Sequence, residues 1–345
     1  MLAARLEATG EALRLVEIDR PEPSGTEVLV RVAGCGVCHT DLHIVDGSQT
    51  RVELPLTLGH EVSGFVEAAG PGAGAALRQA HIGVGDPVLV FGGWGCGSCR
   101  ECVSGSEQRC EDSRAPGFQL DGGYAEAMLV PDARHLVALG SLDPVHAAPL
   151  ADAGVTPYRA VRRAERWLTA GARVLVIGCG ALGQFALQYL RLVPPGGDDL
   201  MVAVRELDAG RLERAASLGA DIGLLDGDAD MAREAMGGQS DVVFDFVGND
   251  QTLGLASKVV VPGGLIMLVG EAGGHLDFGF DRPSVESWLT TVAWGSHADL
   301  RDVVRLAQRR RLEWKVEAVP LRDVAQAHAR LRAGEVDGRL VLVPG

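Results

Sequence analysis

The rhythm of apolar positions along this chain changes once, near Thr156. Before that point the apolar residues come in short runs broken by glycine and proline: Glu27-Val-Leu-Val-Arg-Val32, Gly64-Phe-Val-Glu67 and Asp86-Pro-Val-Leu-Val90. Runs of that length and punctuation predict strands, and this stretch reads as all β. Residues 92–123 carry little periodic pattern and are rich in glycine and cysteine, which predicts a loop. After Thr156 the uninterrupted apolar run Val174-Leu-Val-Ile177 predicts a strand buried on both faces, and Leu182 to Leu192 has the spacing of a helix. Strand-like Met201 to Val204, helical Arg211 to Leu218, and strand-like Val242 to Phe246 and Leu265 to Val269 continue the alternation, which predicts a doubly wound parallel α/β sheet. Helical patterns at Val303, Val304 and Leu306 and at Val324 to Leu331, then a strand at Leu340 to Val343, close the chain.

At 345 residues the chain is expected to form two domains, taking about 150 residues for each. Its apolar runs are strand-sized, so none is expected to span a bilayer. Met1 to Gly10 lacks the apolar centre of a secretory signal, and the expected location is the cytoplasm. Acidic residues outnumber basic ones, 46 against 32, and the net charge of −14 repels a phosphate backbone, which argues against a nucleic-acid partner. In a reducing compartment, seven cysteines that cluster point to metal before disulfides.

Four of them, Cys96, Cys99, Cys102 and Cys110, are spaced C-x2-C-x2-C-x7-C within the loop. Four thiolates that close together can form a tetrahedral shell around zinc with no position left for a substrate, the pattern of a structural site. A zinc ribbon for nucleic acid is the rival, and the flanking Glu101, Glu107, Glu111 and Asp112 oppose it. Cys38, followed 22 residues later by His60 and Glu61, offers ligands zinc accepts, but these residues alone leave open a core histidine or a Cys35-x2-Cys38 redox pair. Cys35 and Cys179 are assigned to packing. Gly178-Cys-Gly-Ala181-Leu182-Gly183 is G-x-G-x-x-G between a buried strand and a helix, with Gly180 at its centre, and this context predicts a dinucleotide whose pyrophosphate meets the helix N-terminus. The acidic residue expected on the adenosine ribose is Glu206, reached after an insertion at Pro194 to Asp199, which favours NAD; its neighbour Arg205 would instead favour the 2′-phosphate of NADP.

Taken in order, Gly36-Val-Cys-His-Thr-Asp-Leu-His43, Gly59-His-Glu61, the four-cysteine loop, Gly178 to Gly183 and Asp245-Phe-Val-Gly248 make the pattern specific. The chain resembles the zinc-containing alcohol dehydrogenases of the medium-chain dehydrogenase/reductase family over essentially its whole length. Leu150 to Tyr158 and the Trp294-Gly295 pair are similar to a bacterial branch acting on secondary and aryl alcohols or ketones. The resemblance implies a mainly β, GroES-like catalytic domain over 1–153, a Rossmann domain over 154–292, and a return to the catalytic domain over 293–345. It also implies two zinc ions per chain and a homodimer or homotetramer.

The same resemblance assigns roles. Cys38 and His60 would bind a catalytic zinc with Glu61 beside it, and Asp152 stands where many members have the third, cysteine ligand. Asp41 matches the carboxylate that buttresses the ligating histidine; by its residue type alone it reads as a solvated surface group. Thr40 and His43 match a proton relay, His39 and Arg339 match pyrophosphate contacts, and Thr156 matches a threonine beside the nicotinamide. Arg211 matches a basic residue near the adenosine, while Phe246 and Val269 match positions lining the dinucleotide. Trp94, Phe118 and Trp294 are the expected walls of an apolar pocket for a small alcohol or ketone. The expected activity is reversible hydride transfer between such an alcohol and NAD. Rivals on the same scaffold are a polyol or sugar dehydrogenase, an NADP-preferring carbonyl reductase and a zinc-free quinone or enoyl reductase; a non-catalytic zinc protein would not need Thr40, His43 and His60 together.

Overall fold

Strand Val28–Gly36 buries seven of its nine residues, and burial on both faces makes it the centre of a sheet. In the computed structural model, which describes residues 1–345, it pairs antiparallel with Glu61–Ala69 on one side and with Arg339–Val343 and Ala127–Val130 on the other. Val316–Pro320 lies outside Arg339–Val343, and Pro87–Val90 and Leu136–Ala138 lie outside Glu61–Ala69, which gives seven strands. A second sheet sets Leu2–Leu6 between Arg14–Glu17 and Leu56–Thr57. Leu6, Val30, Leu58, Val62, Val88, Tyr124 and Met128 are among the buried residues of their common core. These elements belong to one compact unit, Met1–Val155 with Trp294–Gly345.

Thr156–Ala293 is the other unit. Its six strands are all parallel, in the order Ile222–Leu225, Met201–Glu206, Arg173–Ile177, Ser240–Asp245, Val260–Leu268, Trp288–Thr291. Counted along the chain this is 3-2-1-4-5-6, the doubly wound order, and its direction reverses between Arg173–Ile177 and Ser240–Asp245. The glycine turn follows the first of these two strands and Phe246 follows the second, so both stand at the reversal, where such sheets take ligands. The outer strands Ile222–Leu225 and Trp288–Thr291 escaped the sequence reading because each is half exposed and shows neither a continuous apolar run nor alternation. The insertion at Pro194 to Asp199 is an ordered turn: the Arg191 guanidinium donates to the carbonyls of Gly197 and Leu200 at 2.8 and 2.9 Å.

In the first unit Phe91 lies between two histidines, His135 and His297, with ring centroids 6.4 and 5.5 Å away. Burial lowers His135 from 6.5 to about 3 and His297 to about 4, so both are neutral in the fold. The unfolded chain binds more protons between those values and about 6.5, so stability falls as pH falls through that window. Calorimetry of His297→Asn between pH 7 and 5 is expected to show a shallower loss of Tm than wild type; equal slopes would remove this histidine from the acid response.

Candidate functional site

The four cysteines of the loop come together. Cys96 Sγ lies 3.9 Å from Cys102 Sγ, and all four sulfurs fall within 4.8 Å of one another. A disulfide needs about 2.05 Å, whereas a tetrahedron with metal–sulfur bonds of about 2.3 Å has edges of about 3.8 Å. The spacing fits zinc, and all seven cysteines of the chain are free thiols. The local backbone is built around the sulfurs: Cys99 N–H donates to Cys96 Sγ at 3.3 Å and Cys96 N–H to Cys110 Sγ at 3.5 Å. Backbone and hydroxyl donors at Ser98 draw the exposed Cys96 thiol down to about 6, while burial pushes Cys102 up to about 12.

A second cluster assembles residues 114 positions apart. Helix His39–Asp46 starts where strand Val28–Gly36 ends, with Cys38 as its N-cap; His60 immediately precedes the paired strand Glu61–Ala69; Asp152 follows the short turn Ala148–Ala151. Asp152 Oδ2 stands 3.8 Å from Cys38 Sγ and 3.6 Å from His60 Nε2, and a Glu61 oxygen joins them within 4.8 Å. Cys38, His60 and Glu61 are buried and Asp152 is half-buried.

Carboxylates dominate the charge here. Burial works to lower His60, yet Asp41 and then Asp152 hold it well above 6.5. Glu61 and Asp152 face the buried Arg339, while Asp41 faces His60, so the cluster holds three carboxylates and a thiol around these two bases; a divalent ion bound here would take the place of the His60 proton. The donors, soft sulfur, imidazole nitrogen and carboxylate oxygen, are those of a three-ligand zinc site.

Neighbouring groups hold the cluster in shape. Asp41 is fully buried, contrary to its reading as a solvated residue, because it closes a capping box: its Oδ2 accepts the Cys38 N–H at 2.8 Å. Its Oδ1 is left 3.4 Å from His60 Nδ1. Glu61 accepts from Arg339 through both Nε, at 2.8 Å, and Nη2, and from the Ala153 N–H at 3.1 Å. The expectation for Arg339 was a pyrophosphate contact; the structure buries it and spends two of its three nitrogens on Glu61, a partner 278 residues away that no local pattern announces.

Two rings flank His60. Phe118 and Trp294 lie 5.5 and 6.0 Å from its centroid and 5.9 Å from each other, both half-buried. Trp294 has φ +52, a strained value for a bulky residue, and such strain concentrates at functional sites. Trp94, expected in the same wall, is instead a core residue: it is 4% exposed, its indole N–H donates to the Phe91 carbonyl at 2.5 Å, and its ring neighbour is His135 at 5.9 Å. Satisfying that indole N–H inside the core decides its place. Thr40 Oγ1 is 3.6 Å from Cys38 Sγ, and His43, one helical turn further on the same face, is half-buried; His39 is exposed.

In the second unit, Gly178 has φ +86, and a Cβ at Gly183 would collide with the Gly178 carbonyl, so the turn and the helix Ala181–Leu192 depend on glycine. Around Gly180, the N-cap, a side chain would meet nothing within 4 Å, which leaves its backbone open to a ligand. Ala181 and Leu182 are half-buried in the first turn, and Cys179 is buried. Glu206 Oε2 accepts from Cys179 N–H at 2.7 Å, so this carboxylate reaches the glycine turn, whereas Arg205 pairs with Asp226 at 2.6 Å. Phe246 and Val269 end the neighbouring strands, Val269 N–H donating to the Asp245 carbonyl at 2.8 Å. Arg211 opens the helix Ala209–Ser217, and Thr156 is buried near the start of Val155–Ala164.

Comparison with known proteins matches residues 24–141 to the alcohol dehydrogenase GroES-like domain and residues 218–342 to the zinc-binding dehydrogenase domain. A D-arabinose 1-dehydrogenase (NADP+) of Saccharolobus solfataricus is 34% identical over 99% of this chain and 97% of its own. An NAD-dependent alcohol dehydrogenase of Sulfurisphaera tokodaii is 33% identical over the full length of both. Among solved structures, the alcohol dehydrogenase of Aeropyrum pernix superposes with a TM-score of 0.91 at 34% identity, covering both chains completely. No helix of the chain is long and apolar enough to cross a membrane. On these grounds the chain is an oxidoreductase and belongs to the zinc-containing alcohol dehydrogenases of the medium-chain dehydrogenase/reductase family.

Proposed function

We propose that this enzyme interconverts a small apolar alcohol, secondary or aryl, with its ketone or aldehyde, using NAD, with Cys38, His60 and Asp152 holding a catalytic zinc and Cys96, Cys99, Cys102 and Cys110 holding a structural one. The observation that carries this reading is the convergence of Cys38, His60 and Asp152 within 4.8 Å, with the Phe118 and Trp294 rings against His60. Zinc, when bound, is a Lewis acid that lowers the pKa of an alcohol. The chain's own groups do the rest. Phe118 and Trp294 keep water from the reacting carbon and select apolar substituents. Thr40 accepts the hydroxyl proton and His43 passes it outward, in reverse order for ketone reduction. The helix N-terminus at Gly178 to Gly183 holds the pyrophosphate, and Glu206 takes the ribose hydroxyls. Thr156, Arg211, Phe246 and Val269 line the dinucleotide.

On this reading the unit containing the zinc ligands is the catalytic domain and Thr156–Ala293 the cofactor domain. The enzyme is cytoplasmic and homo-oligomeric, and the half-exposed outer strand Trp288–Thr291 is a natural pairing edge. A sugar dehydrogenase using NADP is the second reading, favoured by the D-arabinose relative. A screen of alcohols, ketones and sugars with NAD and NADP in parallel tests both readings. NAD is expected to give the higher kcat/KM, and Glu206→Ala to erode that preference; if Arg205→Ala changes it and Glu206→Ala does not, Arg205 is the selecting residue. His43→Ala is expected to slow turnover about 100-fold, the low end of general acid–base contributions because water partly substitutes, and to alter the pH profile. An unchanged rate and profile would take His43 out of the relay.

A further inference from the structure

One oxygen of Asp41 is held twice. The Tyr124 hydroxyl donates to Oδ2 at 2.8 Å, alongside the Cys38 N–H at the same distance, so the carboxylate cannot rotate without breaking both bonds. Rotation is what must be prevented, because Oδ1 alone faces His60 Nδ1, at 3.4 Å. Tyr124 reaches Asp41 across 83 residues and is fully buried. Its ring lies against the backbone of Gly59, where a Cβ would collide with it, and its own N–H donates to the Leu58 carbonyl at 2.9 Å. The same residue therefore braces the chain just before His60 and fixes the carboxylate beside it. Burial, with the Asp41 charge next, holds the phenol well above 10, so it stays a donor.

We infer that Tyr124 is a positioning residue for the metal site: its hydroxyl locks Asp41 so that the remaining oxygen orients His60, turning Nε2 toward Cys38 and Asp152. The inference rests on the reading of Cys38, His60 and Asp152 as zinc ligands. Groups hydrogen-bonded directly to a metal's ligands typically change metal affinity about 10- to 100-fold, so a residue one step further out is expected at or below the low end of that range.

The test uses full-length wild type, Tyr124→Phe, Asp41→Asn and the double variant. Zinc content is measured after dialysis against graded chelator, and the visible spectrum is recorded with Co2+ in the more labile site. Wild type is expected to release zinc in two populations. Tyr124→Phe, which keeps the ring, is expected to release the labile zinc at up to about 10-fold lower chelator and to shift the Co2+ bands, with the four-cysteine zinc unmoved. In the Asp41→Asn background the same change is expected to add little, since the hydroxyl acts through Asp41. Three results would overturn the inference: chelator curves and spectra that match wild type, an equal further loss on the Asp41→Asn background, or simultaneous loss of both zinc ions, which would make Tyr124 a general folding residue. A wild type with a single zinc population overturns the ligand reading itself, a different failure from any of these three.

Discussion

Asp152→Ala is expected to lower turnover about 1,000-fold or more while the protein keeps its fold and one of its two zinc ions. The charge stabilisation that a bound metal provides is several kcal/mol, and each 1.4 kcal/mol is about tenfold in rate. Asp152 Oδ2 is the carboxylate oxygen between Cys38 Sγ and His60 Nε2, at 3.8 and 3.6 Å. Without it the set falls to one thiol and one imidazole, because Glu61 is engaged by Arg339 and the Ala153 N–H. Backbone bonds also hold this turn: Gly154 N–H donates to the Pro149 carbonyl at 2.9 Å, and the Asp152 amide makes a longer bond, 3.4 Å, to the same acceptor. Elemental analysis, steady-state kinetics and circular dichroism on one preparation decide the matter. Loss of the fold would make Asp152 a packing residue, and full activity would remove it from the site.

Cys102→Ala is expected to remove the other zinc and lower Tm by about 10 °C, with the more labile zinc still bound. The loop it belongs to has little else to hold it: a four-residue helix, Arg100–Val103, a three-residue turn, Glu107–Arg109, and no strand of either sheet. Metal binding is then the folding energy of this lobe, and a loss of several kcal/mol corresponds to about 10 °C at the 2–4 °C per kcal/mol of larger domains. Protons compete for the same sulfurs, most strongly at Cys102, whose thiol burial pushes up to about 12, so wild-type zinc release is expected to grow as pH falls. Unchanged zinc content and Tm in the variant would mean that the loop is held by packing alone.

Local spacing made the modular parts readable in advance. The doubly wound sheet follows from the alternation of apolar runs with helical periods, the glycine turn from its place between Val174–Ile177 and a helix, and the four-cysteine cluster from ligands within 15 residues of one another. In each, the chemistry needs residues that are close in sequence, so spacing carries it. Cys38, His60 and Asp152 belong to another kind: their residues alone left a metal site and a core histidine equally open, and a family pattern was needed to join them.

Tertiary packing alone decided the rest. Asp41 carries nothing in its residue type to say that it is buried, and a helix cap together with a hydroxyl from Tyr124, 83 residues away, made it so. Arg339 went to Glu61 because a buried carboxylate must find a cation or hydrogen-bond donors, and it did so from the C-terminal strand on the far side of Val28–Gly36. Trp94 and Trp294 are the same residue type in loops of similar composition, yet one N–H found a carbonyl inside the core and the other ring was left beside His60. Burial and long-range pairing are properties of the assembled sheets, so no window of sequence contains them.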